Sequence, residues 1–178
     1  IRSIVDAFLR KHHPGLFNKA GPYPISMLFE SPFLSDHFGF EYEIAELQNG
    51  VEGYIEIENR IFSISVGTYE KLLEGLGRAR FTVAHEMGHV VLHANQFTEH
   101  FQENRKVIRF NRTEVPAYRD PEWQADYFAA SLLMPMHHVK EMARNGATEV
   151  DIMQCFQVSR SAARYRLSDA LQELRMSA

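Results

Sequence analysis

His85, Glu86 and His89 stand in the order His-Glu-x-x-His across His85-Glu86-Met87-Gly88-His89, within a segment from Arg78 to Ala94 that has helical patterning. At about 100° per residue, side chains four apart lie about 40° from one another on a helix face, one turn removed, so the two imidazoles can meet at a single ion. Val83, Ala84, Met87, Val90 and Val91 occupy the other side, which lets the same helix bury an apolar face while turning its histidines to a cleft. Zinc suits two neutral imidazoles plus a carboxylate, and it leaves a fourth position for a water whose pKa falls towards about 7. Glu86 adjoins the first histidine and can take the proton of that water as it attacks a peptide carbonyl, then deliver it to the leaving amine. His85 and His89 are therefore the candidate ligands of one zinc ion per chain, and Glu86 is the candidate catalytic residue. The plainer account is a chance pattern on a surface helix. Gly88 speaks for the functional account, because it removes a side chain where another element must come close; otherwise it is a helical glycine carried at a cost of about 1 kcal/mol.

A three-histidine site would need glycine at position 92 and histidine at position 95, where the chain has Leu92 and Asn95, so the third ligand must be a carboxylate further on. Pro121 marks a helix start, and Glu122 and Asp126 then share a face one turn apart. Glu122 can complete the coordination while Asp126 accepts a hydrogen bond from the second nitrogen of a ligand histidine. The competing account is a solvated acidic face at a helix N-terminus, which the helix dipole favours in any case. His93 lies one further turn along from His89 and is either a cleft-lining residue or a buried structural histidine. His12, His13, His37, His137 and His138 lack ligand spacing to the motif.

These side chains need a scaffold. Ile1, Ile4, Val5, Phe8 and Leu9 fall at helical spacing until Pro14-Gly15 ends the pattern, and the stretch from Gly21 to Asp36 reads as an irregular connection with a short helix around Ile25 to Glu30. Phe40, Tyr42 and Ile44 alternate with polar neighbours, Asn49-Gly50 signals a tight turn, and Tyr54-Ile55-Glu56-Ile57 and then Phe62, Ile64 and Val66 read as further strands. The expected fold class is α+β: a small antiparallel sheet of about three strands, then a mostly helical body that carries the active-site helix. Residues 1–148 are expected to form a zincin-like metallopeptidase domain, with 149–178 a C-terminal helical extension packed on it. Glu149 to Leu171 resembles part of a helix-turn-helix bearing Arg160, Arg164 and Arg166. A packing helix seated through Ala162, Tyr165, Leu167, Ala170 and Leu171 is the plainer account, since Asp169 and Glu173 dilute the charge.

Composition narrows the classes. A formal net charge of -4 argues against a general nucleic-acid binder, because neutralising phosphates takes concentrated Lys and Arg. Cys155 is the only cysteine, so no intramolecular disulfide can form, and a reducing compartment is the simplest. No apolar run approaches the roughly 18 residues of a membrane span, and no secretory signal pattern is visible. The expectation is a cytoplasmic protein with no membrane association.

The stretch Arg80-Phe81-Thr82-Val83-Ala84-His85-Glu86-Met87-Gly88-His89-Val90-Val91-Leu92-His93 resembles the ImmA/IrrE family of metallo-endopeptidases. So does Glu122 through Pro135, ending Phe128-Ala129-Ala130-Ser131-Leu132-Leu133-Met134-Pro135. The likeness extends in layout over roughly Ile1 to Leu167, with the first third matching only in pattern. It implies His85 and His89 as zinc ligands, Glu86 as catalytic acid and base, and Glu122 as third ligand. It also implies intracellular proteolysis of a repressor-type transcription factor as the protein substrate. One departure is Gln124-Ala125-Asp126, where the family often shows Glu-Ala-Asn, which puts in doubt any role of a carboxylate at position 124. The alternative class is a metal-binding regulatory or partner-binding protein without turnover, with a helix-turn-helix-like C-terminus.

Overall fold

Local side chains set where several helices begin. Ser65, Asp120, Thr148 and Ser159 each place an oxygen on a backbone N–H two or three residues on, satisfying a donor that the first helical turn leaves without an intrahelical partner. In the computed structural model, which describes residues 1–56, 58–103 and 120–177 (the helix backbone alone over 94–103), the first part of the chain is helical. It comprises α1 (Arg2–His12), α2 (Pro14–Asn18), α3 (Ile25–Glu30) and α4 (Phe33–Phe38). The sheet strands β1 (Glu41–Ala45), β2 (Gly53–Glu56) and β3 (Ile61–Ser65) follow. After them come α5 (Val66–Leu73), α6 (Gly77–Glu103), α7 (Pro121–Leu133), α8 (Met136–Arg144), α9 (Glu149–Phe156) and α10 (Arg160–Met176). Ile57, expected in the second strand, lies outside the described residues. No described helix is long and apolar enough to cross a membrane.

The α+β class holds, with a correction to the sheet. Its order is β1-β3-β2, with β1 parallel to β3 and β2 antiparallel to β3, so it is mixed rather than antiparallel. Phe62 stands opposite both Tyr42 and Ile55. The segment around Asn49-Gly50 therefore does not join neighbouring strands; it carries the chain past the end of β3 to the far side. Burial explains the order. Phe62, Ser63 and Ile64 are buried and take the centre, whereas β1 is mostly exposed and sits at an edge. Alternation along each strand reveals its faces but not its neighbours. Helix α4 is a second departure, since the prolines of that stretch suggest an irregular connection.

The core runs from the sheet through Phe29, whose ring centroid lies 5.0 Å from that of Phe62, to Val83, Ala84, Met87 and Val90 on α6. It continues into Phe128, Ala129 and Leu132 on α7. Arg2 on α1 donates to Tyr127 Oη of α7 at 2.9 Å and forms an ion pair with Glu173 of α10, which Lys140 of α8 also meets at 2.7 Å. The Arg2 hydrogen bond, with Lys140 beside it, pulls the Glu173 carboxyl down to about 2. Arg166, only 2% exposed, donates through Nε to the Met134 carbonyl at 2.9 Å and through Nη2 to the Ser131 hydroxyl at 3.3 Å. Of the three arginines in the helix-turn-helix-like stretch, Arg166 is spent on the interior, Arg160 pairs with Glu149 at 2.6 Å, and Arg164 is exposed with its guanidinium 5.6 Å from the Tyr165 ring centroid.

The start of α6 sits against the turn between α9 and α10. A Cβ on Gly77 would lie 2.4 Å from the Val158 carbonyl carbon and 2.5 Å from the Ser159 nitrogen, both backbone atoms. Gly77→Ala is therefore expected to destabilise the fold by about 1–3 kcal/mol, the usual cost of overpacking. The measurement is the urea midpoint at unchanged m-value. An unchanged midpoint would mean that this contact yields freely.

Candidate metal centre

Helices α6 and α7 approach closely where α6 lacks a side chain. A Cβ on Gly88 would meet Ala125 Cα at 3.1 Å and Phe128 Cδ1 at 3.1 Å. This contact brings the first turn of α7 alongside the histidines of α6. Asp120 caps α7 by accepting the Glu122 N–H at 3.0 Å, and Pro121 occupies the first turn, where a missing N–H costs nothing. Glu122 consequently projects from the positive end of the helix dipole.

The ring nitrogens converge. His85 Nε2 and His89 Nε2 are 3.0 Å apart, and the two Glu122 carboxylate oxygens lie 3.5 Å from one nitrogen each. One ligand atom from each of the three residues can be chosen so that all lie within 4.8 Å of one another, which makes them a group that could hold a metal ion. Behind the rings, His85 Nδ1 is 2.8 Å from Asp126 Oδ1, His89 Nδ1 is 3.3 Å from His93 Nδ1, and His93 Nε2 is 2.7 Å from Gln124 Oε1. The Asp126 carboxylate can only accept, so His85 Nδ1 carries the proton and its Nε2 turns a lone pair into the cluster. Lone pairs and carboxylate oxygens gathered this tightly repel unless a cation lies among them. Two imidazoles and one carboxylate suit a borderline transition-metal ion.

Charge and burial divide the groups. Burial, aided by His85 and His93, pushes His89 down to about 4, so at neutral pH it carries no proton that a metal would have to displace. Burial also lowers His93. For His85 burial acts the same way, but the Asp126 hydrogen bond together with the Glu86, Asp126 and Glu122 charges outweighs it and holds the group above the ordinary range. Burial raises the Glu86 carboxyl above the usual carboxylate range, although the His85 charge opposes it.

The sheet closes one side. Glu86 Cγ is 3.5 Å from where a Cβ on Gly53 would stand, so the start of β2 packs against the stem of this side chain. Just ahead, Glu52 accepts from the Thr82 hydroxyl at 3.0 Å and pairs with Arg78 at 3.1 Å, tying β2 to α6. The structure thus brings together His85, Glu86, His89, Glu122 and Asp126. His93 is 3% exposed and lies behind His89 rather than along a cleft. Sequence reasoning overlooked Glu52, Thr82 and the pairing of Gln124 with His93. The signal for the last was the departure at position 124, but a partner 31 residues away is not visible in a local pattern.

Residues 73–168 match the sequence profile of a peptidase family, described as the IrrE N-terminal-like domain. That range contains all five of these residues. No curated protein matches the chain. Among solved structures, a Mycobacterium tuberculosis transcriptional regulator superposes with a TM-score of 0.61 at 16% identity, over 94% of this chain and 46% of that one. At that identity the likeness speaks for the fold, and the chain spans less than half the length of the matched structure.

If the α6–α7 contact sets the geometry, Gly88→Val should weaken transition-metal affinity about tenfold or more, as overpacking of about 1–3 kcal/mol forces the helices apart. Competition against a chromogenic chelator, with circular dichroism to confirm helix content, is the measurement. Wild-type affinity in a folded variant would show that the site does not depend on this approach.

Proposed function

Because the chain belongs to the IrrE N-terminal-like peptidase family, we propose that it is a zinc-dependent endopeptidase that cleaves a regulatory protein of the repressor type. The observation that carries this reading is the convergence of His85, His89 and Glu122 within 4.8 Å, with Glu86 next in sequence to the first of them. Zinc held by these three residues supplies a Lewis acid for a peptide carbonyl and acidifies water.

The remaining work falls to the chain. Glu86 accepts the proton of the attacking water and returns it to the leaving amine. The same burial that raises its proton affinity fits it for both steps, since a base that releases its proton poorly, or binds it weakly, would fail at one of them. Asp126 keeps the His85 ring in the tautomer that ligates. Gly53, with no side chain, lets the start of β2 pack closely against Glu86 and helps to bury it. Beside Asp126, a groove of about 410 Å³ lined by Phe81, Trp123, Tyr127 and Tyr165 offers aromatic surface to substrate side chains. Proteolysis of a regulator also accords with the nature of the matched structure, itself a transcriptional regulator.

Two substitutions separate the roles. Glu86→Gln keeps size and some hydrogen bonding but removes the base, so zinc should stay while cleavage falls about 10²- to 10⁴-fold. Glu122→Gln should weaken zinc retention and activity together. Zinc titration against a chelator and cleavage of a repressor encoded beside this gene give both quantities. Normal cleavage by zinc-loaded Glu86→Gln would favour a binding protein without turnover, and full zinc affinity in Glu122→Gln would move the third ligand elsewhere, to Asp126 first.

A further inference from the structure

Resting on the zinc-site reading, we propose that Gln124 and His93 form a positioning relay that fixes the tautomer of His89, so that His89 Nε2 presents a lone pair to the metal. Each proton along the relay is set by the group before it. Gln124 Oε1 can only accept, and it lies 2.7 Å from His93 Nε2, so His93 carries its proton there. A neutral His93 then has a lone pair on Nδ1, which faces His89 Nδ1 at 3.3 Å. That nitrogen must donate, which leaves the proton of His89 on Nδ1 and its Nε2 free to ligate.

Asp126 does the same for His85 with a single carboxylate. The two ligand histidines are thus oriented from the same helix, α7, by different devices: one direct, the other through an intervening buried imidazole. The relay has a weakness that the direct contact lacks. Were the Gln124 amide turned over, its NH2 would donate to His93 Nε2, every proton along the chain would reverse, and His89 Nε2 would carry a hydrogen where the metal belongs. A carboxylate at position 124 has no donor face and cannot reverse.

Three variants test this: Gln124→Met, similar in size but lacking the acceptor, Gln124→Glu, which keeps it, and His93→Phe. Side-chain ¹⁵N NMR of the metal-free proteins reads the tautomers, and zinc competition against a chelator reads affinity. Wild type and Gln124→Glu should show His93 protonated on Nε2 and His89 on Nδ1, with zinc held at least as tightly by Gln124→Glu. Gln124→Met should mix the tautomers, and both it and His93→Phe should lose zinc affinity about 10- to 100-fold, the usual cost of removing a partner behind a ligand. A purely packing role would leave Gln124→Met unchanged in both readouts, and that result would overturn the relay, as would a Gln124→Glu variant that binds zinc as poorly as Gln124→Met. Should wild type take up no zinc at all, the zinc-site reading falls, and the tautomers alone still decide the relay.

Discussion

The close approach of α6 and α7 at Gly88 and Ala125 is the contact on which the site depends, since each helix alone carries an incomplete set of groups. His85, Glu86, His89 and His93 come from one, Glu122, Gln124 and Asp126 from the other. Two helices in contact are normally about 8–10 Å apart between axes, set by the side chains at the crossing. A glycine at the crossing permits the short end of that range, and short side chains such as Glu and Asp can then reach imidazoles one helix away. The apolar partners of the same two helices, Val83, Met87, Phe128 and Leu132, hold the crossing shut from the side opposite the histidines.

That arrangement concentrates imidazoles where burial makes polar groups costly, and the structure gives each of the three histidines a partner. A half-satisfied buried network is worse than an apolar core. Here His85 leans on Asp126, His89 on His93, and His93 on Gln124, so the outward nitrogens are held still. The electrostatics follow from the geometry: burial lowers both candidate ligand histidines, but the carboxylates around His85 outweigh it, whereas the imidazoles beside His89 add to it. The remote clamps serve the same end, since Arg2 and Arg166 anchor α7 at Tyr127, Ser131 and the Met134 carbonyl, downstream of its site residues.

Much of this is legible in the sequence because it is local. The four-residue spacing of His85 and His89, the proline at 121 and the helical spacing of Glu122 and Asp126 need only helix geometry. What escapes is non-local. The sheet order depends on which strand is most deeply buried, and β3 lies between β1 and β2 although alternation alone suggests a simple meander. Arg166 reads as an exposed cation until packing places its guanidinium against the end of α7. Gln124 reads only as a departure, because its meaning lies in a histidine on the other helix.

The central claim is that the chain binds zinc through two imidazoles and one carboxylate, with His93 held back as a support. X-ray absorption at the zinc edge of the stoichiometrically loaded protein tests it most directly, because imidazole multiple scattering counts rings while the innermost scattering shell counts light atoms. The expected spectrum has two imidazole nitrogens at about 2.0–2.1 Å and protein carboxylate oxygen at about 2.0–2.2 Å, with a site left open to water. A spectrum with three imidazoles would make His93 a ligand and contradict it.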